Sequence, residues 1–79
     1  MKRLTNNEET TTRRLRWDYR IDETLDFLVA ETLEDGEWVE CDVESIVADE
    51  DPEPYDKLEQ EMISRLGKAW EGLTITDNG

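Results

Sequence analysis

From Arg13 onward apolar and polar residues alternate. Leu15, Trp17, Tyr19 and Ile21 fall on one side, and Arg14, Arg16, Asp18 and Arg20 on the other. A period of two sends successive side chains to opposite faces, so this stretch is predicted to be a half-buried β-strand. Asp22-Glu23-Thr24 interrupts it. A second alternation follows in Leu25, Phe27, Val29 and Leu33, with Glu31 as the exception. Residues 24–33 also fit helical spacing through Leu25, Leu28, Val29 and Thr32, so a helix is the rival reading of that segment.

Glu34-Asp35-Gly36 carries a turn signal, because glycine takes the left-handed conformations that tight hairpins need. A third strand then presents Val39, Cys41, Val43 and Val47 on one side. A three-residue loop at 34–36 sets Val29 opposite Cys41 and Phe27 opposite Val43, so the odd-numbered apolar residues share one face. A two-residue loop pairs Val29 with Asp42 and mixes the faces. The three-residue loop and an odd-numbered core face are therefore expected.

Ala48-Asp49-Glu50-Asp51-Pro52-Glu53-Pro54 has the chemistry of a helix start: an Asp to cap, prolines suited to a first turn, and acids that favour the positive end of the helix dipole. Tyr55, Leu58, Met62, Leu66, Ala69, Trp70 and Leu73 recur at three- and four-residue spacing, with Asp56, Lys57, Gln60, Glu61, Ser64, Arg65 and Lys68 between them. This predicts an amphipathic helix of about five turns ending near Gly72, with Gly67 inside it. The expected fold class is α+β: a three-stranded antiparallel β-meander with one C-terminal amphipathic helix packed on one face, in the order β-β-β-α. Residues 1–12 read as a flexible N-terminal arm, 13–73 as a single compact domain, and 74–79 as a short C-terminal tail.

Composition changes this picture in one respect. A chain of 79 residues supports one thin core, to which three tryptophans contribute large apolar areas. Its net charge, however, is −13. Residues 1–20 carry a net +3, and residues 21–79, with 19 acids against Lys57, Arg65 and Lys68, carry −16. The acidity belongs to the part expected to fold. Such a balance repels nucleic acid and anionic membranes and attracts proteins with basic clefts.

Catalytic chemistry finds little support. Without histidine, the Cys–His pair and the Ser–His–Asp triad are excluded. Cys41 has no partner for an internal disulfide and falls on the expected core face, where cysteine behaves as a small hydrophobe. Four scattered glycines make no phosphate loop. Asp49-Glu50-Asp51 lacks the ligand order and central glycine of an EF-hand, and reads as a solvated capping segment. No catalytic residue, cofactor or metal is expected, and the chain is not expected to be an enzyme. No apolar run reaches signal-peptide or membrane-span length, which places the expected location in the cytoplasm, the host cytoplasm for a phage-encoded protein.

The remaining candidate is a binding surface. In the expected register the third strand exposes Trp38, Glu40, Asp42, Glu44 and Ile46. Its alternate carboxylates lie about 6.5–7 Å apart, close to the spacing of phosphates along one nucleic-acid strand. Asp49, Glu50, Asp51 and Glu53 extend that line toward the helix. Trp38, Glu40, Asp42, Glu44, Asp49, Glu50, Asp51 and Glu53 are thus the candidate partner-binding residues. Leu28, Trp38 and Ile46 are expected on the same face, offering an anchor for a partner or a homodimer contact beside an open sheet edge. Arg14, Arg16 and Arg20 are expected there too, neutralising acids such as Asp26.

By charge and size the chain resembles the small acidic inhibitors of phages and mobile elements that imitate DNA, and it carries no family motif. The expected function is inhibition of a nucleic-acid-binding defence complex, such as CRISPR or restriction machinery, through a protein partner with a basic surface and without direct contact to nucleic acid or membrane. An acidic adaptor or antitoxin-like protein that neutralises a basic partner is one alternative. A small halophile-type domain whose acids serve hydration is the other.

Overall fold

A computed structural model describes residues 12–78. The segment read as an N-terminal arm lies outside the described residues except for Thr12, whose carbonyl accepts the Leu33 N–H at 2.8 Å. The described residues form four strands and one helix: β1 (Arg13–Asp18), β2 (Leu25–Glu34), β3 (Glu37–Val47), α1 (Glu53–Leu66), a 3-10 turn (Lys68–Trp70) and β4 (Ile75–Asn78). The sheet order is β3-β2-β1-β4. The β1–β2 and β2–β3 pairs are antiparallel, and β1–β4 is parallel.

The α+β class holds, but the sheet has four strands and is mixed, not three and antiparallel. The fourth strand lies in the segment expected to be a tail. Ile75 pairs with Leu15 and packs against the core, so the free edge of β1 and one apolar side chain capture the C-terminal residues. Residues 25–34 form a strand, which settles the helix-or-strand alternative for that segment.

The hairpin between β2 and β3 departs from the expected register in an instructive way. Its turn is Asp35-Gly36 alone, with Glu34 opposite Glu37. Both residues have positive φ, 51° and 81°, the requirement of the two-residue turn whose twist matches a hairpin. The face mixing expected of a two-residue loop is avoided by a β-bulge. Pairing runs from Leu33↔Trp38 to Glu31↔Glu40, then resumes at Ala30↔Asp42 and Val29↔Val43, leaving Cys41 as the extra residue. Cys41 is therefore exposed at the bulge, not in the core, and its sulfur lies 3.4 Å from the Ala30 carbonyl oxygen.

The covered face also differs from expectation. Trp17 stands opposite Leu28 and Leu15 opposite Ala30, so the helix-facing side uses odd positions of β1 and even positions of β2. Leu15, Trp17, Leu28, Ala30, Met62 and Trp70 form the core, flanked by Ile46, Tyr55, Leu58, Ile63, Leu66, Leu73 and Ile75. Leu28, expected at the surface, is 0% exposed, while Val47, expected in the core, is 71% exposed. The cause lies in β2. Phe27-Leu28-Val29-Ala30 is apolar at consecutive positions, and Leu28 and Val29 are both buried, so its weak alternation does not name the covered face.

The helix is shorter than expected. It spans 14 residues and stops where Gly67 adopts φ 111°, ψ 179°, after which the 3-10 turn brings Trp70 onto the core. Its start has the expected acids and prolines. Pro52 stands at the boundary with helical dihedrals, and Asp51 accepts the Glu53 N–H at 3.0 Å from one residue further out.

Candidate functional site

The bulge at Cys41 divides the acidic row expected along β3. Trp38 and Glu40 pair with Leu33 and Glu31 on the face away from α1, whereas Asp42 and Glu44 pair with Ala30 and Leu28 on the helix side. There Arg65 of α1 donates to Asp42 at 2.8 Å and reaches Glu44 at 3.1 Å. Trp38, half-buried, is covered by the Arg14 guanidinium, 4.2 Å from its ring centre. No single line of carboxylates runs along this strand.

The face away from α1 is organised around a buried acid. Glu31 is 7% exposed, and one of its oxygens accepts from Arg14 Nε at 2.6 Å and Arg16 Nε at 3.1 Å. Arg16 also reaches Asp18 at 3.0 Å. Burial works to raise the Glu31 carboxyl, but the hydrogen bonds from Arg16 and Arg14 outweigh it and hold it below its ordinary value. Asp18 is held low by the Arg20 backbone N–H and then by Arg16. Arg14 and Arg16 thus serve Glu31 and Asp18. Asp26, expected to be neutralised by an arginine, instead accepts a hydrogen bond from the Tyr55 hydroxyl at 2.5 Å.

The loop acids have a different setting. Asp49, Glu50 and Asp51 line a cleft of about 430 Å³ together with Trp17, Tyr19, Pro52, Tyr55, Asp56, Glu59 and Asp77. Glu53, the first residue of α1, is exposed beside it. An adjoining hollow of about 580 Å³ shares Asp49, Glu50 and Tyr55 and adds Asp26 and Ala48. The aromatic floor is ordered by packing: Trp17 and Tyr19 stack with ring centres 6.5 Å apart, and Tyr55 meets Trp17 edge-on at 5.0 Å.

Neutral donors reach four of the cleft's carboxylates, Asp49, Asp51, Glu59 and Asp77. The Trp17 indole donates to Glu59 at 2.6 Å and the Tyr19 hydroxyl to Asp77 at 2.9 Å. The Asp51 N–H donates to Asp49 at 3.1 Å. The ion pairs of Arg14, Arg16 and Arg65 go to Glu31, Asp18, Asp42 and Glu44, none of which lines this cleft. The phenols register the negative field. Burial and then the Asp77 hydrogen bond push Tyr19 up to about 12, and the Asp26 hydrogen bond raises Tyr55. Among the described residues, no three carboxylates converge closely enough to hold a metal ion.

Three of the eight expected site residues, Asp49, Glu50 and Asp51, are therefore brought together, with Glu53 nearby. Trp38, Glu40, Asp42 and Glu44 are elsewhere. Trp17, Tyr19, Asp26, Tyr55, Asp56, Glu59 and Asp77 join the site without having been expected there. Asp56 and Glu59 were visible as acids one turn apart on the helix after the acidic loop, but nothing local places Asp77 against Tyr19.

The chain matches no protein-family model, no curated protein and no solved structure. Among the described residues, no helix is long and apolar enough to cross a membrane.

Proposed function

We propose that this chain is a non-catalytic acidic binding protein that occupies a basic, nucleic-acid-binding surface of a partner protein and so inhibits it. The observation that carries this reading is the set of carboxylates around the β3–α1 junction, Asp49, Glu50, Asp51, Asp56, Glu59 and Asp77, of which Asp49, Asp51, Glu59 and Asp77 accept hydrogen bonds from neutral donors. A partner's Lys and Arg side chains supply counter-charge to this acidic end. The class of partner is a restriction, CRISPR or similar complex with a cationic channel.

Competition tests it. The protein should displace labelled DNA from such a complex, and the displacement should weaken steeply with added salt. Charge reversal by Glu50→Lys with Glu53→Lys should diminish displacement while leaving the melting temperature near that of the parent. DNA that remains bound at saturating protein overturns inhibition by competition.

A second reading, an acidic adaptor, draws on the interrupted row of β3: a divided set of acids suits local contacts better than imitation of a phosphate backbone. An adaptor binds its partner while DNA stays in place. Unfolding on removal of salt would instead mark acids that serve hydration.

A further inference from the structure

The two described elements that lie outside the sheet, α1 and the 3-10 turn, cover the same side of it. Met62 and Trp70 pack there on Leu15, Trp17, Leu28 and Ala30, and Phe27, Val43 and Val47 take no part in that core. Those three belong to the other side, which no described helix or strand covers. Val43 is 40% and Val47 71% exposed. Three rows cross this side from β1 through β2 to β3: Arg14-Glu31-Glu40, Arg16-Val29-Val43 and Asp18-Phe27-Ser45. They set Arg14 and Arg16 against Asp18, Glu31 and Glu40, so this side is close to balanced on a chain of net charge −13. Glu40 directly opposes Glu31, a like-charge pair that disfavours the hairpin, and it makes no ion pair or side-chain hydrogen bond among the described residues.

We infer that this side stacks on the same side of a second copy of the chain, about a twofold axis that runs along β2. Such an axis keeps each residue's level along the strands and sets β1 of one copy against β3 of the other. The charges of the first row then complement one another. Arg14, whose side chain is 39% exposed, meets Glu40 of the second copy, and symmetry makes the contact twice. Phe27 meets its own counterpart, and Val43 lies under the aliphatic stem of Arg16.

The net charge does not forbid this arrangement. The acids on the α1 side go to the two outer layers, about 20–30 Å apart, while the Debye length at physiological salt is about 8 Å. Pairing of sheet edges is the poorer match, because β4 has only four residues and the β3 edge is interrupted by the bulge at Cys41. A basic partner is drawn to the β3–α1 junction and meets two arginines on this side. Stacking leaves that junction open on both copies, so the inference stands apart from the inhibitor reading.

Sedimentation equilibrium of the full chain tests it. The parent should show twice the chain mass, with a dimer Kd in the micromolar range. A monomeric mass at about 1 mM overturns the stacking. Val43→Glu places an unmatched charge in the interface and should raise Kd about a hundredfold. Glu40→Arg sets arginine against Arg14 of the second copy and should raise it about tenfold. Within its own sheet that new side chain faces Glu31, so its circular dichroism should match the parent's and the loss is one of association. Should Val43→Glu not fold, Glu40→Arg decides alone. Glu61→Gln, exposed on α1, should leave Kd within about twofold of the parent. A dimer that persists unchanged in Glu40→Arg pairs through another surface and overturns this one.

Discussion

The indole nitrogen of Trp17 donates to the Glu59 carboxylate at 2.6 Å, joining the largest core side chain of β1 to the middle of α1. Trp17 is 2% exposed, so water has little access to replace that acceptor. Glu59→Ala should cost about 2 kcal/mol in urea unfolding, because a buried N–H is left without a partner. Glu59→Gln, which retains an oxygen acceptor, should stay within about 0.5 kcal/mol of the parent. Equal losses in the two variants would show that the bond is incidental to stability.

Glu31 binds Arg14 and Arg16 through one oxygen, and its pKa is held below the ordinary value. A depressed carboxyl contributes stability that is present above its unfolded pKa and lost as pH falls through the folded one. Glu31→Gln should therefore cost about 2 kcal/mol at neutral pH, and the gap from the parent should close in strong acid. The comparison must be between the two proteins. Relief of the −13 net charge acts on both in the opposite direction as pH falls.

Tyr19 is pushed up to about 12 by burial and by its bond to Asp77. The ionised phenol is disfavoured in the fold, so this contribution is intact below the unfolded value of 10 and is lost as pH climbs from 10 toward 12. Ultraviolet titration should show a tyrosine ionising late, and Tyr19→Phe should flatten the alkaline decline in stability. An unchanged alkaline limb in Tyr19→Phe would refute this.

Gly67 ends α1 at φ 111°, ψ 179°, a region that side chains rarely adopt. A Cβ there meets nothing within 4 Å, so the cost of Gly67→Ala is backbone strain alone, about 1–2 kcal/mol by calorimetry. A neutral result would mean that the chain can continue the helix through this point.

Much of the scaffold was legible because it is written locally. The alternation from Arg13, the glycine of the β2–β3 turn, and the proline-acid start of α1 each act within a few residues and each forms where expected, although β1 ends at Asp18 and leaves Tyr19 and Ile21 exposed. Gly67 falls inside the helical spacing, which runs on through Ala69 and Trp70, yet Trp70 reaches the core from a 3-10 turn after the helix has stopped. The acidic row failed for a similar reason. Parity along β3 holds only until an extra residue is inserted, and the bulge at Cys41 answers to the pairing of β2 with β3.

The sequence by itself determined the α+β class, the three leading strands, the approximate helix and the acidity of everything after residue 20, because period, turn chemistry and formal charge are properties of neighbours along the chain. Tertiary structure decided which face of the sheet is covered, that Ile75 adds a fourth strand beside Leu15, and that Asp26, Tyr55 and Asp77 meet at one end. Those outcomes rest on packing between segments as far apart as Tyr19 and Asp77. A period of two names two faces of a strand, and only the element that arrives to cover one of them makes it the core.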